Sequence, residues 1–311
     1  MIKEIKDIVF EKYQVRKSKK TKTAFIEYVK GLCEERGIAC TVEKKGISRN
    51  IVMGASPEES ELVLTAHYDT CAWMPLPNFI TPKNMLAYIL YQIFLTWLIL
   101  AAAAVVSWLV SRFAGSLFGA LALMIALYGI LFLLIAGPAN RHTANDNTSG
   151  TLTVLNTMLS MSEEQRAKVC FVLFDNEELG LFGSSAFKKM HRKEMKNKPL
   201  VNFDCVSDGD RLFAKLPSRE RKSEFGIRFI EVMKNNAQQS GMVPVIGTTG
   251  FYPSDQIHFR RGIGVAALKK SRLVGLYMNR IHTHRDTVFE ERNIDCLTAA
   301  MKELVGADKA E

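Results

Sequence analysis

The chain lacks the cysteine pairs that staple small extracellular domains or hold structural zinc. Its six cysteines (Cys33, Cys40, Cys71, Cys170, Cys205 and Cys296) include no CxxC pair and no framework spacing. Cys170 and Cys205 sit in apolar, strand-like runs, which suits buried, reduced thiols and a reducing compartment. The segment Met1-Ile2-Lys3-Glu4-Ile5-Lys6 lacks the apolar core of a secretory signal, so the polar first 84 residues are expected to stay cytoplasmic. The net charge is +9, with a basic run at Arg16, Lys17, Lys19, Lys20 and Lys22. No aromatic interleaving or nucleic-acid module accompanies that run. It reads as a solvated helix face, and nucleic acid is set aside as a partner.

Charge is missing altogether from two intervals. Met85 to Val110 and Ser116 to Ala136 contain no Asp, Glu, Lys or Arg. At 1.5 Å per residue each run reaches about 30 Å or more, enough to cross a hydrocarbon core. Only Ser111 to Gly115 separate them, which leaves room for a tight hairpin. Gly115, Gly119 and the Ala101–Ala104 run supply small residues for close helix packing. The competing reading, two buried core helices, is disfavoured by two such runs joined so closely.

A hairpin returns the chain to the side it left. Residues 1–80 and 140–311 are therefore expected to form one catalytic domain. Residues 84–137 are expected to be an inserted transmembrane hairpin, with helices at about 85–110 and 116–136. Lys83 and Arg141 flank the pair against Arg112 in its turn, a weak charge bias. The missing signal argues more strongly than charge for an integral protein of the cell membrane with its catalytic domain on the cytoplasmic side.

Around the hairpin, strands alternate with amphipathic helices. Helices are expected at 22–36, 151–160, 223–239 and 290–305, and a helix or turn at 181–190. Strands are expected at 39–42, 50–53, 62–66, 169–173, 200–203, 264–268 and 274–278. The pattern describes an α/β fold, a mostly parallel mixed sheet flanked by helices, with its site at the carboxyl edge.

The organising stretch is Phe174-Asp175-Asn176-Glu177-Glu178-Leu179-Gly180, which leaves the buried run Val169–Leu173. Adjacent carboxylates at a strand end point different ways, so one can face a metal and the other a substrate. Alone, the stretch could be an acidic turn opening a helix. Four further strand-end or turn residues alter the balance: His67, Asp146, Asp204 and His282. Two imidazoles and three carboxylates suit divalent zinc, in a pair bridged by one carboxylate. Asp69, two residues past His67, could orient that imidazole through its second nitrogen.

These motifs resemble the M28-type zinc peptidases, which include bacterial leucyl aminopeptidases and the glutamate carboxypeptidase and transferrin-receptor ectodomains. The resemblance is carried by Thr-Ala-His67-Tyr-Asp69-Thr, Ala-Asn-Asp146-Asn-Thr-Ser-Gly, Phe-Asp-Asn-Glu177-Glu178-Leu-Gly, Asn-Phe-Asp204 and Ile-His282-Thr-His-Arg-Asp-Thr. Their order and approximate spacing hold across residues 60–287, apart from the hairpin. The resemblance implies a zinc-peptidase/phosphorylase-like fold and two Zn2+. His67 and Asp204 would hold one ion, Glu178 and His282 the other, with Asp146 bridging and Glu177 as general base. It implies an aminopeptidase acting on peptide or aminoacyl substrates.

Two departures stand out. Where the family commonly reads Ser-Asp-His, this chain has Ser254-Asp255-Gln256, so no role passes to His258. Tyr252 lies near where some relatives place an oxyanion-stabilising phenol, which makes it a substrate-binding candidate. The other departure is the hairpin, which fills what is usually a short loop and removes no ligand. The alternatives are a glutaminyl-cyclase-like acyl transferase with one zinc and a catalytically silent receptor or scaffold. Oligomeric state is not legible.

Overall fold

The computed structural model describes residues 2–306. Helices α1 (Ile2–Lys12) and α2 (Lys19–Glu34) open the chain, the latter capped by Ser18 accepting from Thr21 N–H. Strands β1 (Cys40–Lys45) and β2 (Ser48–Gly54) form a hairpin, and β3 (Leu62–His67) comes after it. The two long helices come next, α3 (Met85–Ala114) and α4 (Ser116–Ala136). The chain returns through α5 (Gly150–Ser160), the single turn α6 (Glu163–Arg166), β4 (Val169–Phe174) and α7 (Phe182–Met190). It continues with β5 (Leu200–Phe203), β6 (Arg211–Lys215), α8 (Glu224–Gln239) and β7 (Val243–Gly247). Strands β8 (Gly262–Ser271) and β9 (Gly275–Tyr277) and helix α9 (Glu291–Gly306) complete it.

The strands make one mixed sheet in the order β1-β2-β4-β3-β5-β8-β6-β7, with β9 paired to β8. Its centre, β4-β3-β5-β8, is parallel, while β1, β2, β6 and β9 join antiparallel neighbours. Every residue of β3, β4 and β5 is buried, as expected of strands covered on both faces. The parallel register places His67 beside Phe174, so β3 and β4 end level. Chain leaving either strand must therefore enter the same space. That fixes the site.

Most expected elements are present within a few residues. Helix α1 and strands β6 and β7 carry no clear sequence signal, and α3 runs to Ala114, past the expected end at 110. The basic run is the clearest correction. Arg16 and Lys22 are buried, not solvated, because each has a ring of acceptors waiting. Arg16 donates to the carbonyls of Tyr68 (2.5 Å) and Tyr13 (2.7 Å) and to the Thr148 hydroxyl (3.1 Å).

Helices α3 and α4 are long and apolar enough to cross a membrane, and only 6% of the most apolar window of each is buried. They pack on one another rather than into the core. The Ser107 hydroxyl donates to the Gly119 carbonyl (2.8 Å), and a Cβ at Gly119 would stand 1.6 Å from Ser111 Oγ. Only glycine allows that approach. The chain reverses at Gly115, whose φ of 93° favours glycine.

Candidate metal centre

Three parallel strands deliver the first groups. His67 is the last residue of β3, Asp204 comes directly after β5, and Glu177 and Glu178 lie just beyond β4. Asp146 comes from the turn before α5, and His282 from the loop after β9. Residues far apart in sequence meet around one carboxylate. Asp146 Oδ1 lies 3.4 Å from His67 Nε2, and its Oδ2 lies 3.1 Å from His282 Nε2. Asp204 Oδ1 stands 3.5 Å from the same nitrogen of His67, and Glu178 Oε2 stands 3.4 Å from that of His282. Glu177 joins His67 and Asp204 in a group whose donor atoms lie within 4.8 Å of one another.

The surrounding sequence makes sense as support for this arrangement. The Asp286 carboxylate accepts the backbone N–H groups of Asn145 (2.8 Å) and Asp146 (3.0 Å), fixing the turn that presents Asp146. Asn147 donates to the Phe203 carbonyl and accepts from Gly150 and Cys205, tying the same turn to the end of β5. The Asp146–Asn147 peptide is cis. A Cβ at Gly150 would meet the Phe203 carbonyl at 2.2 Å, so the tie needs glycine there. Asn176, Cys205 and His282, all at or beside site residues, hold positive φ without being glycine. Such conformations gather where surroundings over-determine the backbone.

Asp69 faces the Nδ1 of His67 and also the glutamate turn. Its carboxylate accepts the backbone N–H groups of Glu177 (3.0 Å) and Glu178 (3.2 Å). It lies 3.6 Å from His67 Nδ1, whereas the Asp69 main-chain carbonyl lies at 3.1 Å. The imidazole is thus held mainly by backbone, and the carboxylate holds the glutamate pair. Tyr252 is buried, with its hydroxyl donating to the Asp204 carbonyl (3.0 Å). That bond ties the phenol to the main chain of Asp204.

The electrostatics test whether a cation suits the site. Burial pushes Glu178 up to about 8 and Glu177 well above the usual range. Burial would lower both imidazoles, but neighbouring carboxylates outweigh it, leaving His67 well above its ordinary value and His282 at about 9. Burial also opposes ionisation of Asp146, yet His282 and His67 hold it below the normal carboxylate range. Glu178 Oε1 is buried without a hydrogen-bond partner. The carboxylates of Asp69, Asp146, Glu177, Glu178 and Asp204 around two imidazoles carry an excess of negative charge that divalent cations would neutralise. The nitrogen and oxygen donor set fits zinc.

Several supporting groups are not marked out by the sequence: Arg16, Lys22, Asp175, Asp255 and Asp286. Asp286 lies within the motif around His282, the only signal available for it. Asp255 is fully buried, neither oxygen has a hydrogen-bond partner, and burial pushes it up to about 7. In place of the expected histidine, Gln256 accepts from Asn202 (3.1 Å) and donates to the Tyr252 carbonyl (2.7 Å). It serves the packing behind the sheet edge.

Comparison with known proteins matches residues 130–304, more than half of the chain, to the family described as peptidase family M28. Among solved structures, the LapA aminopeptidase of Legionella pneumophila superposes with a TM-score of 0.57 at 13% identity, covering all of this chain and 70% of that one. Glutaminyl cyclase of Porphyromonas gingivalis also gives 0.57, at 12% identity over 97% of each chain. That of Tannerella forsythia gives 0.56 at 13%, over 98% of this chain and 96% of the other. At such identities the likeness is one of fold. No curated protein sequence matches significantly.

Proposed function

The chain belongs to peptidase family M28, and on that footing we propose that it is a dizinc aminopeptidase anchored in a membrane by α3 and α4. The observation that carries this reading is the position of Asp146, one oxygen toward His67 and the other toward His282. One carboxylate shared between two imidazole-bearing half-sites is the arrangement a bridged metal pair requires. His67 and Asp204 would hold one zinc, and His282 and Glu178 the other. Bound there, the ions would polarise the scissile carbonyl and make an attacking water more acidic.

The chain's own groups would do the rest. Glu177 stands beside this set with its backbone N–H fixed by Asp69 and its carboxyl kept basic by burial. It takes a proton from the attacking water and returns it to the leaving amine. Asp286, Asn147 and Asp69 hold the turns that aim these groups, so little reorganisation accompanies the reaction. Anionic groups around the mouth would bind a substrate's ammonium terminus, favouring removal of N-terminal residues. The catalytic domain comprises residues 1–80 and 140–311, and 84–137 form the inserted hairpin; residue 1 and residues 307–311 lie outside the described residues.

Metal quantification on the purified full chain, together with turnover on a panel of aminoacyl amides, tests the reading. Two zincs per chain and cleavage of at least some reporters are expected. One zinc with cyclisation of N-terminal glutaminyl peptides would favour acyl transfer instead. Silence on the whole panel with zinc bound would point to a receptor or scaffold.

A further inference from the structure

The foot of the helical hairpin and the candidate metal centre share one edge of the sheet. Helix α4 ends at Ala136, and two residues later the Pro138 carbonyl accepts the Trp73 N–H (2.8 Å). Ala72 pairs with Ala139, and the Asn140 N–H donates to the Cys71 carbonyl (3.1 Å). The Cys71 thiol groups with Glu178 and His282, all donor atoms lying within 4.8 Å of one another. Trp73, at the helix end, is therefore only two residues from the centre, a step of about 7 Å in extended chain.

The depth of the hairpin agrees with this. Helix α3 has 30 residues and α4 has 21. The two share a turn at Gly115, so the excess of α3 falls at the domain end, about 13 Å of helix. That excess is pinned along the domain wall. Asn84 Nδ2 donates to the Val274 carbonyl (3.3 Å), the Tyr91 hydroxyl donates to the Pro77 carbonyl (2.7 Å), and Tyr88 packs on Phe251 with ring centroids 5.9 Å apart. The length common to both helices, about 30 Å, matches a hydrocarbon core. The wall beside the excess falls at headgroup depth.

The residues on that wall suit such a position. Trp73 and Phe251 are each 43% exposed and Leu273 is 92% exposed. Among them stand Lys17, whose ammonium donates to the Ile135 carbonyl (2.6 Å), and the exposed Lys83, Arg141 and Arg272. Aromatic and apolar side chains interleaved with cations, beside two bilayer-length helices, fit the headgroup layer of an anionic bilayer.

We propose that the catalytic edge lies in the headgroup layer and that its substrates are the amino termini of peptides embedded in the same bilayer. The substrate class rests on the aminopeptidase reading; the position of the edge does not. An amino terminus needs only about three extended residues beyond the hydrocarbon to reach the centre. Confinement to the same surface raises its effective concentration over that of a soluble peptide.

The test uses the zinc-loaded full chain reconstituted in vesicles of phosphatidylcholine with phosphatidylglycerol. A fluorophore is placed on Leu273→Cys or, at the opposite sheet edge, on Glu58→Cys, each in a Cys40→Ser background. Brominated lipids should quench the label at 273 and leave that at 58 bright. Equal brightness at both would overturn the placement whatever the turnover. The second arm compares release of the first residue from a membrane-spanning peptide with about three residues outside the bilayer, the same peptide with about twenty, and the soluble terminus alone. A preference of about tenfold or more for the short spacer is expected. Equal rates on all three, with an aminoacyl reporter cleaved, would overturn the substrate class and leave the aminopeptidase standing. Silence on reporter and peptides alike would overturn both of these, while lipid contact is still decided by the quenching.

Discussion

Lys22 and Asp175 form a buried ion pair, Nζ to Oδ1 2.6 Å, beneath the turn that carries Glu177 and Glu178. Their side chains are 8% and 1% exposed, so neither charge has water to fall back on. The same ammonium reaches Asn176 Oδ1 (2.6 Å), and Asp175 also accepts the Arg49 N–H (3.0 Å). Removing one partner strands the other. Lys22→Ala should cost about 3–5 kcal/mol of stability, whereas Lys22→Met with Asp175→Asn should cost clearly less. Denaturant unfolding of the three chains checks this, and equal losses would show that the pair does not act as a unit.

That ion pair also shows where reading the sequence stops. His67, Glu178 and Asp204 are legible because each follows within a few residues of a short, mainly apolar run, which marks a buried strand and its end. The hairpin is legible because nothing but a long apolar helix fits two uncharged intervals of that length. Lys22 is not, since its neighbours Lys19 and Lys20 are exposed and its partner lies 153 residues away. Nothing local distinguishes a buried lysine from a solvated one. Strand β7 escapes because Pro244 interrupts it, which the sheet tolerates only because β7 is its edge. Asp69 stands out in the sequence, but its carboxylate serves the glutamate backbone, a partnership that depends on β3 and β4 ending level.

Glu177→Gln separates binding from proton transfer. The amide is nearly isosteric and belongs to neither proposed ligand set, so metal content should stay at the parental value. Turnover of aminoacyl amides should fall by about 10²–10⁴-fold, the range for loss of a positioned acid–base group. Elemental analysis and initial rates on the same preparation check both halves. A variant that keeps its metal and the parental rate would remove Glu177 from the mechanism.

Metal removal should act on stability as well as on activity. A ligand that binds only the folded chain adds stability by mass action, about 4 kcal/mol when free zinc is a thousandfold above its dissociation constant. Chelation should therefore lower the unfolding midpoint and abolish turnover, with zinc restoring both. Asp146→Ala should lose more than one ion's share, because both half-sites lean on that carboxylate. His282→Ala should lose mainly one. Equal stoichiometry in the two variants would refute the bridging role.

Glu220 offers a pH test remote from the centre. Burial pushes its carboxyl up, but Arg261 and Ser223 outweigh burial and leave it below the ordinary range. Arg261 grips it through Nε (2.6 Å) and Nη2 (2.7 Å). A carboxylate depressed in the fold adds stability above its unfolded pKa, about 4.3. That contribution is lost as pH falls through the lower folded value. Glu220→Gln should therefore be less stable than the parent by about 2 kcal/mol at pH 7. The two should converge below about pH 4. Parallel unfolding curves from pH 3 to 7 would show that the pair contributes nothing to the acid response.

Excising the hairpin tests the division of the chain. The cut belongs inside the helices, because residues at their feet make contacts that hold the loops beside the sheet. Ile80 pairs with Met278, the Phe251 N–H donates to the Pro82 carbonyl (2.8 Å), and the Tyr91 hydroxyl holds Pro77. Removing 79–138 outright would strip those contacts along with the apolar spans. Replacing 92–134 with a short polar linker keeps Tyr91 and Ile135, whose carbonyl Lys17 holds. Nearly every residue removed is lipid-like and almost none is buried by the domain, so little folding energy should go with them. The trimmed chain should stay soluble without detergent, bind metal at the parental stoichiometry and cleave soluble aminoacyl reporters at a similar rate. If it aggregates and releases its metal, the two helices are structural parts of the catalytic domain and the inserted-anchor division fails.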